Sequence, residues 1–81
     1  MNEWNKQLIE EKLQAKESFC LYVYTPMCGT CQVASKMLLI TQEILKEVTF
    51  AKSDANYIRE LAYELEIESV PCLLIFRNGT F

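Results

Sequence analysis

The chain has 81 residues, 51% of them hydrophobic, with only two glycines and two prolines and a formal net charge of −3. That composition excludes a disordered or fibrous chain, and the acidic balance argues against a nucleic-acid or membrane-surface partner. There is no histidine, which removes every catalytic pair and zinc site that needs an imidazole.

Taken in chain order, Trp4, Leu8, Ile9 and Leu13 fall at helical spacing among charges, so residues 3–17 read as an amphipathic helix. The same N-terminal stretch has no apolar run of signal-peptide length, which points to a reducing cytoplasm. Phe19 to Tyr24 (FCLYVY) is short, apolar and β-prone, as expected of a strand buried on both faces. Thr25-Pro26 ends it. From Cys28 onward Val33, Ala34, Met37, Leu38, Ile40, Ile44 and Leu45 make a long helical stripe, broken only by Thr41. Val48 to Lys52 reads as the next strand, and Ser53-Asp54 can cap a helix whose apolar face is Tyr57, Ile58, Leu61, Ala62 and Leu65. Ser69-Val70-Pro71 then leads into the apolar run Cys72 to Phe76, and Asn78-Gly79 opens a hairpin. The longest uncharged run, Ser18 to Ser35, is interrupted by Thr, Pro, Gly and Gln and is no membrane span. Strands and helices therefore alternate, the pattern of an α/β sheet with helices on both faces, in a single domain over residues 1–81.

The chemistry sits where the first strand meets the long helix. Cys28 and Cys31 fall at the start of that helix, where free N–H groups and the positive dipole end stabilise a thiolate. Cys28 should therefore ionise below the free-thiol value of about 8.5, and Cys31, one turn on, is placed to attack a disulfide formed at Cys28. A CxxC pair alone also fits a metal site or a structural disulfide. Cys20 and Cys72 are isolated rather than a second CxxC, which disfavours zinc, and a loop this short would restrain the unfolded chain little. Cys20 and Cys72 read as small buried hydrophobes.

Taken together, Val23-Tyr24, Cys28-Gly29-Thr30-Cys31, Phe50-Ala51-Lys52, Ile67-Glu68-Ser69-Val70-Pro71 and Leu73-Leu74-Ile75-Phe76 with Asn78-Gly79 resemble the thioredoxin family in order and spacing. The resemblance implies a thioredoxin fold, a central mixed sheet flanked by helices, here stopping before the last strand and C-terminal helix and so read as C-terminally truncated. It implies a protein-disulfide reductase contributing to cell redox homeostasis, with Cys28 as nucleophile and Cys31 as resolving thiol. It further implies a cis peptide at Pro71 beside the dithiol, with the backbone of Val70 pairing to the substrate. Met27, Gly29, Thr30, Val70 and Pro71 would form the substrate-binding surface. Electrons would come from a flavin-dependent reductase, and the chain itself would hold no cofactor and no metal.

Several positions depart from the family pattern. Met27 stands where a tryptophan is usual, Thr30 where a proline is usual, and Cys72 where a threonine is usual. Tyr22 occupies the place of a buried aspartate, so Lys52 loses its acid partner, and Tyr24 replaces a tryptophan and is read as packing. Two other readings compete: a glutaredoxin-like enzyme using glutathione, and a non-catalytic interaction module presenting Met27, Tyr24 and Met37 as a soft apolar surface.

Overall fold

A computed structural model describes all residues, 1–81. The chain forms β1 (Asn2–Glu3), α1 (Lys6–Gln14), β2 (Phe19–Tyr24), α2 (Gly29–Ile44), β3 (Phe50–Asp54), a 3-10 turn (Ala55–Tyr57), α3 (Arg59–Glu64) and β4 (Cys72–Phe76). The sheet order is β1-β3-β2-β4, with β4 antiparallel to β2 and the other pairs parallel. The α/β mixed sheet with flanking helices is thus the expected architecture. No helix is long and apolar enough to cross a membrane.

The strand FCLYVY is buried along nearly its whole length, and its alternation splits the molecule in two. Phe19, Leu21 and Val23 join Trp4, Ile9, Ala51, Ile58, Leu61 and Phe76 in the main core, under α1 and α3. Trp4, Phe19 and Phe76 form an aromatic column, with ring centroids 5.1 and 4.8 Å apart. Cys20 and Tyr22 face the opposite side, where α2 lies.

Four expectations are corrected. The first helix begins at Lys6, not residue 3, because Asn5 caps it by accepting from the Leu8 N–H at 2.8 Å. Residues 2–3 instead pair with β3, and the Trp4 N–H donates to the Lys52 carbonyl. The third strand runs Phe50–Asp54 rather than Val48–Lys52, since its register sets Ala51 beside Leu21 and Ser53 beside Val23 on the core face. Asp54 consequently caps the 3-10 turn, through the Asn56 N–H at 2.9 Å, and Tyr57 is left exposed.

The fourth correction concerns α2. Ala34 and Leu38 are half-buried against the sheet, whereas Val33, Met37, Ile40 and Ile44 are 61, 64, 64 and 72% exposed. Leu73 and Ile75 of β4, which lie on the same side of the sheet as Tyr22 and Cys20, are exposed as well. Only α2 covers this side of the sheet, so most of its stripe meets no facing layer.

Helix ends account for a feature no glycine announces. Lys16 and Glu66 adopt left-handed conformations after α1 and α3. Each helix then closes with the paired bonds of a Schellman end, Glu17 to Lys12 and Lys16 to Leu13 in the first, Ile67 to Ala62 and Glu66 to Tyr63 in the second.

The Asn78-Gly79 turn forms as expected, with Arg77 and Thr80 bridged and both turn residues at positive φ (55° and 84°). It folds back onto α1, where the Gly79 N–H donates to the Glu17 carbonyl. A Cβ on Gly79 would stand 2.8 Å from the Leu13 carbonyl oxygen, and backbone cannot step aside cheaply. Gly79→Ala is expected to destabilise the chain by about 2 kcal/mol, read as a lower urea midpoint at unchanged slope.

Candidate active site

Cys28 is the N-cap of α2. Its backbone is extended, and its sulfur accepts the Cys31 N–H at 3.1 Å, in the place a serine or aspartate oxygen usually takes. The Thr30 hydroxyl lies 3.2 Å from the same sulfur. Thr25-Pro26 stops β2 one turn earlier, and the Cys28 N–H donates to the Thr25 carbonyl at 3.2 Å. The strand end and the helix start thus hold Cys28 between them, half-buried, while Cys31 is only 2% exposed. Neither is in a disulfide in this structure.

These contacts separate the two thiols electrostatically. Hydrogen bonding from the Cys31 side chain, then from the Thr30 hydroxyl, holds the Cys28 thiol below its ordinary range, with the Cys31 and Thr30 N–H groups adding to it. Burial, followed by its interaction with Cys28, pushes the Cys31 thiol up. Cys20 and Cys72 are also pushed up, both by burial. One thiolate is therefore favoured among four cysteines. It sits at the mouth of the site, and its partner is kept protonated behind it.

Behind Cys31 lies a polar cluster. The Tyr22 hydroxyl donates to the Cys31 carbonyl, and burial first, then the nearby Cys31, raises this phenol to about 12. Tyr22 and Tyr24 stack at 5.8 Å. The Tyr24 hydroxyl donates to Glu3 Oε1 at 2.7 Å, and Lys52 Nζ sits 5.7 Å from the centre of the Tyr24 ring. Burial and then the bond to Glu3 push the Tyr24 phenol up. A cavity of about 70 Å³ among Tyr22, Tyr24, Cys31, Gln32, Ser35 and Lys52 joins these groups. Lys52 thus packs on an aromatic ring in place of a carboxylate.

The expected substrate surface is arranged as follows. Met27 is 95% exposed beside Cys28, and Gly29 and Thr30 are exposed on the first turn of α2. A Cβ on Gly29 would meet nothing within 4 Å, so room is not why a glycine stands there. The Val70–Pro71 peptide is cis. Pro71 is exposed at the head of β4 and shares an apolar groove of about 280 Å³ with Tyr22, Ala34, Met37, Leu38, Cys72 and Leu73. Cys72, paired with Val23, is half-buried against the core. Glu3 lies outside the site expected from sequence, because a two-residue strand leaves no periodicity to read, and Tyr24, expected only to pack, carries a hydrogen bond into the site.

With all four thiols reduced, iodoacetamide near neutral pH should modify Cys28 first, with Cys31, Cys20 and Cys72 lagging, as peptide mapping would report. A lowered thiol is already ionised at a pH where raised ones are protonated. Thr30→Val should move the Cys28 midpoint upward and slow its alkylation roughly threefold, the effect of one lost hydrogen bond.

Comparison with known proteins agrees with this geometry. The family model "Thioredoxin" matches residues 1–81. A thioredoxin-like protein of Bacillus subtilis, YusE, is 47% identical over 76 residues, covering 91% of this chain and 72% of that protein. Thioredoxin-1 of Saccharomyces cerevisiae is 26% identical over 78 residues, covering 96% and 71%. Among solved structures, Chlamydomonas reinhardtii thioredoxin f2 superposes with a TM-score of 0.87 at 25% identity, over 99% of this chain and 77% of its own.

Proposed function

The chain belongs to the thioredoxin family, and from that premise we propose that it is a thiol–disulfide oxidoreductase that reduces protein disulfides through Cys28 and Cys31. The observation that carries this reading is the capped Cys28 sulfur, held as the favoured thiolate with the protonated Cys31 one turn behind it. The Cys28 thiolate attacks one sulfur of a substrate disulfide, releasing the other as a thiolate and leaving a mixed disulfide. Cys31 loses its proton and attacks the Cys28 sulfur. The second substrate thiolate departs, and the Cys28–Cys31 disulfide holds the oxidising equivalents.

Val70 and Pro71, at the head of β4, and Met27, Gly29 and Thr30, around Cys28, are the surface on which the substrate chain would lie. Their apolar and uncharged character supports contact with an extended segment flanking a disulfide rather than with a charged ligand. A flavin-dependent reductase is the electron donor in this reading, the cytoplasm its compartment and redox homeostasis its role.

A redox titration in thiol buffers of set potential, with acid quench, alkylation and peptide mapping, tests it. Cys28 and Cys31 should switch together as one two-electron couple while Cys20 and Cys72 remain alkylatable. Cys28→Ser should abolish reduction of a protein disulfide, and Cys31→Ser should accumulate the mixed disulfide at Cys28. A Cys28–Cys31 pair that never oxidises would sink the proposal.

A further inference from the structure

The resolving step sets a proton problem. When Cys31 attacks, Cys28 is already bonded to the substrate and cannot take the Cys31 proton. Burial keeps that proton in place, so a neighbouring acceptor is required. Tyr22 and Tyr24 on β2 and Lys52 on β3 line the cavity with Cys31, and Cys28 on α2 lies beside it; Glu3 on β1 and Asp54 on β3 stand next to these groups in the sheet register, and β4 presents Leu73 at this level.

Most of these can be set aside on their bonding. The Lys52 ammonium can stabilise a thiolate but has no lone pair to accept a proton. Tyr22 directs its own proton at the Cys31 carbonyl, which is not a base. Asp54 caps the 3-10 turn through the Asn56 N–H and has no hydrogen bond to a side chain that lines the cavity. Tyr24 differs. Its side chain lines the same cavity as Cys31, and its proton points at a carboxylate, Glu3 Oε1, at 2.7 Å. The other Glu3 oxygen accepts the Asp54 N–H at 3.1 Å, which fixes the carboxylate in place. The sheet register makes this possible, because Glu3, Lys52 and Tyr22 stand side by side in one row across β1, β3 and β2.

We infer that Glu3, acting through the Tyr24 hydroxyl, takes up the proton that Cys31 releases when it attacks the mixed disulfide. The inference rests on the oxidoreductase reading above. The cavity of about 70 Å³ has room for bridging water, and Tyr22, Tyr24, Gln32, Ser35 and Lys52 along its lining bring the polar groups that would hold it. The Cys31 S–H proton passes to that water and on to the Tyr24 oxygen, while the Tyr24 proton moves to Glu3 Oε1. The Cys31–Cys28 S–S bond forms, the Cys28–substrate S–S bond breaks, and the substrate leaves as a thiolate with the electron pair. Glu3 is exposed and returns its proton to solvent. Glu3 and Tyr24 are thus positioning residues for proton transfer, and β1 becomes part of the working site.

The test uses the full chain with 5,5′-dithiobis(2-nitrobenzoate) as the disulfide, following formation and decay of the Cys28 mixed disulfide by acid quench and mass measurement across pH. Glu3→Gln and Tyr24→Phe should each slow the decay by at least about tenfold near neutral pH, leave formation unchanged, and converge on the parent at alkaline pH. The first substitution keeps an amide oxygen as acceptor for Tyr24, and the second keeps an aromatic ring stacked on Tyr22. Each therefore removes the proton route while sparing most of the packing. Should Glu3→Gln fail to fold by circular dichroism, Tyr24→Phe carries the test alone. Decay at the parent rate near neutral pH, or slowing by the same factor at every pH, would overturn the inference. A parent chain that forms no mixed disulfide, or never resolves it, would instead overturn the proposed function.

Discussion

β2 is buried on both faces and paired on both edges, and each of these properties does a different job. Its odd residues, Phe19, Leu21 and Val23, lie in the core with Trp4, Ile9, Ile58 and Leu61. Its even residues, Cys20, Tyr22 and Tyr24, face α2 and underlie the dithiol. A one-residue slip would exchange the two sets, putting hydroxyls into the core and leucine beneath Cys31. The ladder with β3 and β4 prevents that slip over five residues on each side. The Cys28–Cys31 dithiol, the polar cluster behind it and the cis Val70–Pro71 peptide are all arranged around this one strand.

On that frame a single turn of helix differentiates two chemically identical side chains. Cys28 stands at the cap, where its sulfur receives the donors that a helix start leaves unpaired. Cys31 is three residues further on, facing the sheet, and loses solvent instead. Hydrogen bonding favours the charged form of the first and burial the neutral form of the second. Thr30 adds a hydroxyl donor to Cys28 that a proline at this position would lack.

The two sides of the sheet are unequal. α1 and α3 seal one side around an aromatic column, whereas α2 alone lies on the other and leaves Met37, Ile40, Ile44, Leu73 and Ile75 in contact with water. A helical stripe in the sequence says which residues are apolar at one spacing; it does not say whether a second layer stands opposite them. The stripe from Val33 to Ile44 is therefore legible as a helix and illegible as a core.

Local pattern alone specifies the strand FCLYVY, the helix following Cys28, the Asn78-Gly79 turn and the placement of Cys28 and Cys31 at the helix start. Each is written in spacing, capping and turn chemistry within a few residues. Long-range pairing supplies what such patterns cannot carry. A two-residue strand at Asn2–Glu3 exists only because the β3 edge offers it hydrogen bonds. Lys16 and Glu66 take left-handed conformations because the Schellman bonds at the ends of α1 and α3 compensate the strain, with no glycine to announce it. Glu3 meets Tyr24, twenty-one positions away in sequence, because sheet pairing, not chain proximity, places a carboxylate against a tyrosine that lines the cavity at Cys31.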